Sequence, residues 1–448
     1  MQLSLIFLYL INLSYEYIII PFKSSLSNIE DNLTPSQFMN KMLYNDITTN
    51  IKIGNPYQNL NFFLDFTSYH SYVLDSNLPE IKSKEKYNKK KSSSYNQYNK
   101  ENETILFEKT FFQNGNNSTD ILKLNDKTEE FPLNFVLVTK INKETNLNYS
   151  GTFGLGVIDN GKPQFKESGF IHSLKKNNLI DNYMFTLKFN EKNNNGRIII
   201  GKNIYENYSD DLFKSANVKI LNELKLNWGW DYFSVYYNDR VTSISTTFIN
   251  PNLGVVIMDL NVKKELVTNF FGKKISENKC FEEKVNFYYS FFYCNEDVSL
   301  DNINFEFKRS NGNITFKLDY NDLTKVYNGK KYLLIIFDQL LSSYEIYIGL
   351  PLLKKYDFIF DQDKKIMGLY EFKVDFKEGE IDDDDDKSKK DDRKSVPGKK
   401  NYNLYIIIVV FFSFLFILYF IFIMYRKSRR KKMGFLDEEV DYEEFDKI

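Results

Sequence analysis

Two apolar runs in this chain each end in an aspartate, and a carboxylate at that position constrains what the chain can fold into. The run FFLDFTSYHSYVL, residues 62–74, contains Asp65, and the run LGVVIMDLNVKKEL, residues 253–266, contains Asp259, 194 residues further on. A carboxylate that follows several apolar residues is costly to bury unless it is hydrogen-bonded, paired or kept protonated. Each aspartate therefore needs a partner, and the two are candidates for one another.

The region from about residue 44 to residue 376 has an all-β pattern. Short apolar or alternating runs are separated by turns rich in Asn, Lys, Asp and Gly, as expected for short strands. Each half carries a similar apolar strand with glycine, GTFGLGV at residues 151–157 and IYIGLPLL at residues 346–353. The sequence predicts two similar β lobes, each with one aspartate at a strand end, and a few short helices, among them residues 170–177 and 262–273.

Two inserts interrupt this pattern. Residues 80–103 are lysine-rich and low in complexity, and residues 378–400 are dominated by charged side chains. Segments of this composition bury too little apolar surface to fold by themselves. We predict a mobile loop at the first insert and a charged stalk at the second.

The C-terminal end predicts a membrane anchor. Residues 404–425, LYIIIVVFFSFLFILYFIFIMY, are an apolar run of 22 residues, which spans about 33 Å as a helix and is long enough to cross a bilayer. The basic segment RKSRRKK follows at residues 426–432, and the positive-inside rule places that side in the cytosol. A cleaved lipid-anchor signal would end at its apolar run, so the basic segment favours a single-pass helix.

The N-terminal end predicts entry into the secretory pathway. The run LSLIFLYLINL, residues 3–13, has the length of a signal-peptide core but lacks a basic start and a clear cleavage site, so a buried segment is the alternative. With the anchor's orientation, this predicts a type I membrane protein of a vacuole, a lysosome-like compartment or the cell surface. The predicted order is a signal peptide at 1–18, a short pro-like or N-terminal segment at 19–43, lobes at 44–210 and 211–376, a stalk at 377–403, the membrane helix at 404–425 and a cytosolic tail at 426–448.

The cysteine and histidine counts and the net charge give no support to a metal-binding or nucleic-acid-binding protein. Cys280 and Cys294 are the chain's two cysteines, and an oxidising compartment favours one disulfide between them, which stabilises by about 3 kcal/mol on a chain-entropy estimate. Two cysteines alone make a poor metal site, and the two histidines, His70 and His172, lie too far apart in sequence to suggest one. With 59 basic and 60 acidic residues, no global charge suggests a nucleic-acid partner.

Ordered blocks across residues 44–376 resemble the pepsin-like aspartic peptidases. IKIGNPYQNLNFFLDFTS resembles the strand pair that leads to the family's first catalytic aspartate, and YSGTFGLGV resembles its D-G-I-L-G-L-G block. GFIHSLKKNNLIDNYMFTLKFNEKNNNGRIIIGKNI follows the family's next helix and hairpin, while WDYFSVYY and IYIGLPLLKKYDFIFDQDKKIMGLYEF resemble its closing strands. Each block is weak alone, but the order of the blocks is specific.

The resemblance implies a bilobal β fold with a deep cleft in which Asp65 and Asp259 meet as the catalytic pair. Two carboxylates so close cannot both ionise, so one activates a water while the other, protonated, hydrogen-bonds the peptide carbonyl. The implied function is that of a monomeric, membrane-anchored aspartic-type endopeptidase. Its partner would be a peptide or protein substrate, and it would need no metal or cofactor.

The sequence departs from the family pattern at both aspartates. The family reads Asp-Thr-Gly, whereas this chain has DFTS at residues 65–68 and DLNV at residues 259–262. Phe66 and Leu260 lack the hydroxyl that cross-links the two loops in the family, and the glycine position carries a side chain in both motifs. The family's Tyr-Gly-x-Gly flap falls near residues 107–110, which read FEKT. A catalytically inactive pseudo-peptidase that binds peptides at the membrane or acts as a surface protein is therefore the alternative function.

Overall fold

The structure is a computed structural model of the 448-residue chain. It describes residues 17–27, 29–78, 85–98, 103–107, 111–125, 128–141, 147–157, 169–190, 194–205, 213–218, 228–237, 239–309, 314–341 and 345–370. These residues form mostly β structure with a few short helices. The predicted fold class is confirmed at that level.

The strands are short, as the sequence pattern predicts. In the first half they are β1 (Ile18–Ser24), β2 (Ile47–Ile53), β3 (Gln58–Asp65), β4 (Tyr72–Leu74), β5 (Asn96–Gln97), β6 (Glu103–Phe107), β7 (Phe111–Lys123), β8 (Phe131–Ile141), β9 (Gly151–Gly154), β10 (Met184–Phe189), β11 (Gly196–Ile200) and β12 (Phe213–Asn217). In the second half they are β13 (Gly229–Tyr237), β14 (Arg240–Ile249), β15 (Val256–Met258), β16 (Cys280–Lys284), β17 (Tyr289–Asn295), β18 (Phe305–Arg309), β19 (Thr315–Leu318), β20 (Thr324–Tyr327), β21 (Lys330–Asp338), β22 (Glu345–Ile348), β23 (Asp357–Asp361) and β24 (Ile366–Tyr370).

Short helices punctuate the strands. They are α1 (Pro35–Leu43), α2 (Phe170–Lys176), α3 (Leu260–Leu266), α4 (Gly272–Ser276), α5 (Tyr320–Leu323) and α6 (Leu350–Lys355), with a π-helical turn at Val267–Phe271 joining α3 to α4. The helices predicted at residues 170–177 and 262–273 are therefore confirmed. The second begins two residues earlier and continues three residues further than predicted.

The described strands form two sheets. The first has the order β12-β24-β23-β10-β11-β1-β2-β3-β9-β4-β8-β7-β5, with β6 paired to β7. The second has the order β16-β17-β21-β15-β22-β14-β13-β18-β19, with β20 paired to β21. Strand β1 lies between β11 and β2, so the N-terminal segment contributes a strand to the first sheet. Strands β23 and β24, from the C-terminal end of the described chain, join the same sheet beside β10.

Each half contains the same four-strand arrangement. In the first half β9 lies between β3, to which it is parallel, and β4, to which it is antiparallel, and β4 is parallel to β8. In the second half β22 lies between β14, parallel, and β15, antiparallel, and β15 is parallel to β21. Position by position, β3 corresponds to β14, β9 to β22, β4 to β15 and β8 to β21. This correspondence decides which residues of the two halves are equivalent.

Large aromatic side chains pack beneath the end of β3. The Phe185 ring on β10 stacks on the Phe360 ring of β23 at a centroid distance of 4.7 Å, and Trp228 packs edge-on against both. All three side chains are fully buried. Apolar burial is the main favourable contribution to folding, so this cluster supports the turn that follows β3. We call these three side chains the aromatic floor.

The lysine-rich insert is partly ordered, which corrects the prediction of a mobile loop for residues 85–98. Tyr87 is fully buried and its hydroxyl donates to the Asp120 carboxylate of β7, which also accepts from Ser94 Oγ at 2.5 Å. An apolar ring and its hydrogen-bonded hydroxyl hold the segment in place. The prediction was wrong here because the many lysines around Tyr87 gave no indication that this tyrosine is buried.

The predicted signal peptide core at residues 3–13, the stalk at 377–403, the membrane helix at 404–425 and the tail at 426–448 lie outside the described residues. No helix of the described part is long and apolar enough to span a membrane.

Candidate active site

Asp65 ends β3 and turns the chain sharply. Its Oδ1 accepts three hydrogen bonds, from Thr67 N (2.8 Å), Thr67 Oγ1 (2.7 Å) and Ser68 N (3.2 Å). An aspartate whose oxygen accepts from the backbone two residues ahead forms a tight local turn. Among the described residues nothing hydrogen-bonds Oδ2, and the side chain is only partly buried. Asp65 therefore offers one carboxylate oxygen to a ligand.

Burial and hydrogen bonding act on the Asp65 charge in opposite directions. Desolvation by burial raises the pKa of this carboxyl above its ordinary value, because the ionised form loses hydration. The bonds from Thr67 and Ser68 lower the pKa, because they favour the ionised form, but they only partly offset the rise. Asp65 thus keeps its proton to a higher pH than an exposed aspartate does.

Phe66, which stands where the resemblance expects a threonine, packs downward. Its ring is 1% exposed and lies 5.9 Å from the Phe185 ring and 6.4 Å from the Phe360 ring, measured between centroids. Apolar packing on the aromatic floor therefore contributes to fixing the Asp65 turn.

The register of the two sheets identifies the residue that mirrors Asp65. On the first side Leu64 pairs with Phe153 and Asp65 with Gly154. On the other side Ile249 pairs with Ile348, so the next residue, Asn250, stands level with Gly349, and its N–H donates to Ile348 O at 2.9 Å. The counterpart of Asp65 is Asn250.

The two glycines confirm this equivalence independently. A Cβ at Gly154 would lie 2.2 Å from the backbone carbonyl of Tyr69, and one at Gly349 would lie 2.1 Å from the carbonyl oxygen of Leu253. Real Cβ contacts are never so short, so both positions require glycine for the same reason, the close passage of the turn that follows the neighbouring strand.

The turn at Asn250 copies the turn at Asp65. Asn250 Oδ1 accepts from Asn252 N at 3.0 Å, which is the bond that Thr67 N makes to Asp65. Asn250 is likewise partly buried, and its Nδ2 donates to no atom of the described residues. The side chain of Asn252 reaches across to the first turn, where Nδ2 donates to Leu64 O (2.9 Å) and Oδ1 accepts from Phe66 N (3.1 Å). The two turns therefore lie side by side.

Asp259 lies at a different place from the one predicted. It follows β15, so its counterpart is Asp75, which follows β4, and not Asp65. Its Oδ1 caps α3 by accepting from Asn261 N (2.9 Å) and Val262 N (3.0 Å). The position does not match that of a cleft residue.

The other oxygen of Asp259 supports this correction. Oδ2 accepts from Ser243 Oγ at 2.8 Å, and Ser243 lies seven residues before Asn250 on the same chain segment, about 20 Å in extended form. The carboxylate is 2% exposed. The helix cap and the Ser243 hydroxyl together supply three donors, so the buried carboxylate is hydrogen-bonded without a ligand.

The sequence match agrees with this architecture. The family model described as eukaryotic aspartyl protease matches residues 47–371, which is well over half of the chain. The chain belongs to the eukaryotic aspartyl protease family. No curated protein matches the chain.

For an aspartyl protease, the pairing of Asp65 with Asn250 is a change of chemistry. The reaction uses two carboxylates that share one proton. Asn250 supplies an amide, which can donate a hydrogen bond through Nδ2 but cannot take up or release a proton near neutral or acidic pH. Among the described residues, this pair of turns therefore supplies one titratable group, Asp65, at the two equivalent positions.

Sequence reasoning missed Asn250, although the sequence contains a usable signal. Each half has two apolar runs: the first half has FFLD ending at Asp65 and YVLD ending at Asp75, and the second has FIN ending at Asn250 and VIMD ending at Asp259. The two ends are ten residues apart in one half and nine in the other. Matching first run with first run selects Asn250. A search for aspartates alone passes over a run that ends in an amide.

The structure also shows where the predicted disulfide and the predicted partner of Phe66 lie. Cys280 and Cys294 form a disulfide that joins β16 to β17. Leu260, taken from the sequence as the partner of Phe66, is the first residue of α3 and is 44% exposed; the residue that corresponds to Phe66 is the buried Pro251. In the predicted flap, residues 108–110 lie outside the described residues.

Proposed function

We propose that this chain is a peptide-binding member of the aspartyl protease family in which the hydrolytic step is lost. The observation that carries the proposal is Asn250 at the position that mirrors Asp65. Family membership supports aspartic-type peptidase activity in general and binding of peptides in a cleft. The amide at Asn250 separates binding from cleavage.

The argument follows from the two roles in hydrolysis. One carboxylate removes a proton from water, and a second, protonated, carboxyl gives a proton to the carbonyl oxygen of the substrate. Asp65 can fill the first role. Asn250 can only hydrogen-bond the carbonyl, and losing a positioned proton donor lowers a rate by about 10² to 10⁴.

Binding requires less than cleavage does. A peptide group presents one N–H donor and one C=O acceptor. Asp65 Oδ2 is an acceptor and Asn250 Nδ2 is a donor, and both are without partners among the described residues. These two atoms therefore complement the N–H and the C=O of a peptide group, but the pair cannot hydrolyse the peptide bond.

Active endoproteolysis is the second candidate, because Asp65 and its three hydrogen bonds are retained. Acid-pH incubation of the full-length chain with a mixed peptide library, read out by mass spectrometry, separates the two candidates. We expect the wild type and Asp65→Asn to show the same background of cleavage. We expect Asn250→Asp to gain cleavage that is lost again in the double variant Asn250→Asp/Asp65→Asn.

Asp259→Asn is the matched control in this experiment. Asparagine still caps a helix, so this variant should fold, and it should leave cleavage unchanged in both the wild type and the Asn250→Asp background. Peptide binding is measured in parallel with a labelled peptide whose scissile amide is replaced by a hydroxyl-bearing linkage. Acid-dependent cleavage by the wild type that Asp65→Asn abolishes would overturn the loss of hydrolysis and establish the peptidase.

The proposal includes a location. A signal peptide at residues 1–18 and a helix at residues 404–425 would make the chain a monomeric type I protein with its protease domain lumenal or extracellular. Sequons at Asn32, Asn102, Asn116, Asn117, Asn148, Asn207 and Asn313 then become glycosylation sites. Glycosidase treatment should increase electrophoretic mobility, and deletion of residues 404–448 should release the chain from membranes. An unglycosylated chain that fractionates with cytosol would exclude this location.

A further inference from the structure

One side chain of the second half holds both peptide groups that flank Asp65. The amide of Asn252 donates through Nδ2 to the carbonyl of Leu64 and accepts through Oδ1 from the N–H of Phe66. The two distances, 2.9 Å and 3.1 Å, are those of good hydrogen bonds. A planar amide with one donor and one acceptor thus fits the carbonyl before Asp65 and the N–H after it.

Asn252 is itself held firmly. Its backbone N–H donates to Asn250 Oδ1, and its carbonyl accepts from Asn45 N at 2.8 Å. The buried side chain of Asn45 donates to Pro251 O at 3.0 Å and accepts from Ser24 Oγ at 2.5 Å. The turn that presents the amide is therefore anchored to β1 and to the start of the segment that leads to β2. An anchored donor and acceptor lose little entropy on bonding.

We propose that Asn252 is the positioning residue for Asp65, and that its single amide replaces the hydroxyl cross-link that neither turn of this chain can form. Phe66 and Pro251 have no side-chain hydroxyl, and the cross-link runs in one direction, from the second half to the first. The inference goes beyond the proposed function, because it holds whether the cleft only binds peptides or also cleaves them.

The clamp acts on Asp65 through the backbone. Fixing Leu64 O and Phe66 N sets the direction in which the Asp65 side chain leaves the chain, and this keeps Oδ1 aligned with Thr67 and Ser68 while Oδ2 stays open. Without the clamp, the turn relaxes and those donors misalign. Weaker donors favour the ionised carboxylate less, so the Asp65 pKa should rise.

The test compares Asn252→Ala with a matched asparagine variant, Asn286→Ala, in the full-length chain. The side chain of Asn286 also bonds two backbone groups, since its Oδ1 accepts from Tyr288 N (2.9 Å) and Tyr289 N (3.0 Å) in a turn between β16 and β17. The readouts are hydrogen exchange at the Phe66 amide and the titration of the Asp65 carboxyl by NMR. We expect Asn252→Ala to accelerate Phe66 exchange about tenfold, as for a lost hydrogen bond, and to raise the Asp65 pKa. Asn286→Ala should change neither.

A second variant keeps the test decisive if Asn252→Ala does not fold. Asn252→Leu has nearly the same shape as asparagine and adds no charge, but it supplies neither the donor to Leu64 O nor the acceptor for Phe66 N. In this variant too, exchange at Phe66 should accelerate and the Asp65 pKa should rise. A merely structural role would lower the melting temperature and leave both readouts unchanged, so wild-type values for both in either folded variant would overturn the proposal.

Discussion

The Asp65 turn and the Asn250 turn share a backbone and differ in chemistry. In each, the side-chain oxygen accepts from the N–H two residues ahead, at 2.8 Å in the first and 3.0 Å in the second. This bond needs only an oxygen acceptor, which a carboxylate and an amide both supply. The geometry of the turn therefore does not depend on whether the residue at its start carries a titratable proton.

The turns also differ in how they are fixed. Phe66 anchors the first by packing on Phe185 and Phe360, whereas Pro251 anchors the second through its carbonyl, which accepts from Asn45. The free energy gained from apolar packing is proportional to the buried area, while a neutral hydrogen bond contributes about 1 kcal/mol net. The two halves thus reach the same arrangement with contributions of unequal size.

The largest expected effect tests that inequality. Phe66→Ala opens a cavity beneath Asp65 and should lower the free energy of unfolding by about 3 to 5 kcal/mol, whereas Pro251→Ala, which keeps the carbonyl, should cost about 1 kcal/mol. Denaturant unfolding of the full-length chain measures both. Phe287→Ala is the control, because Phe287 is 75% exposed and should change stability little. Equal losses for Phe66→Ala and Pro251→Ala would remove the distinction between a packed and a hydrogen-bonded turn.

A second test concerns the aspartates that follow β4 and β15. Asp259→Ala removes the cap of α3 and the partner of Ser243, and should cost about 2 kcal/mol of stability. Asp75→Ala removes a bond from Asn77 N and an ion pair with Lys89 (3.2 Å) and should cost a similar amount. Thermal unfolding measures the loss.

The discriminating readout of this second test is peptide binding. Because both aspartates lie at the ends of strands that follow the central turns, neither variant should change the affinity of a cleft ligand when the protein is folded. If Asp259→Ala loses ligand binding while its stability is unchanged, Asp259 is a residue of the binding cleft, as the sequence predicts.

Much of the fold could be predicted from the sequence because its signals are local. Alternating apolar residues, turn residues and glycines locate short strands, and both predicted helices formed. The order of GTFGLGV and IYIGLPLL also identified the strand that ends at Gly154 and the strand that Gly349 follows. Tyr87 was missed because its partner, Asp120, lies 33 residues away.

The second half of the site was predicted wrongly, because two residues of the sequence compete for the same role. Asn250 and Asp259 both follow apolar runs, and the pairing of β14 and β15 on opposite sides of β22 decides between them. Asn252 is a harder case. Its bonds cross 188 and 186 residues of chain, and no local pattern marks an asparagine as a cross-link.

The smallest expected effect depends on pH and tests the one charge that distinguishes the two turns. Burial raises the Asp65 pKa above the ordinary 3.8, so the folded chain holds this proton more tightly than the unfolded chain. The contribution of Asp65 to stability is then fully present below pH 3.8 and is lost as the pH rises through the folded-state pKa. Asp65→Asn removes the charge but keeps an acceptor for Thr67 N.

Asp65→Asn should therefore raise the melting temperature at neutral pH and leave it unchanged in strong acid. Asn250→Asp should lower the melting temperature at neutral pH and leave it unchanged in strong acid. The reason is that a second carboxylate beside the first adds like-charge repulsion at neutral pH, which protonation relieves. Melting temperatures from pH 3 to pH 8 for the wild type and the two variants measure both trends. If Asp65→Asn melts below the wild type at neutral pH, the three hydrogen bonds to the ionised carboxylate outweigh its burial. The two turns would then differ in stability as well as in chemistry.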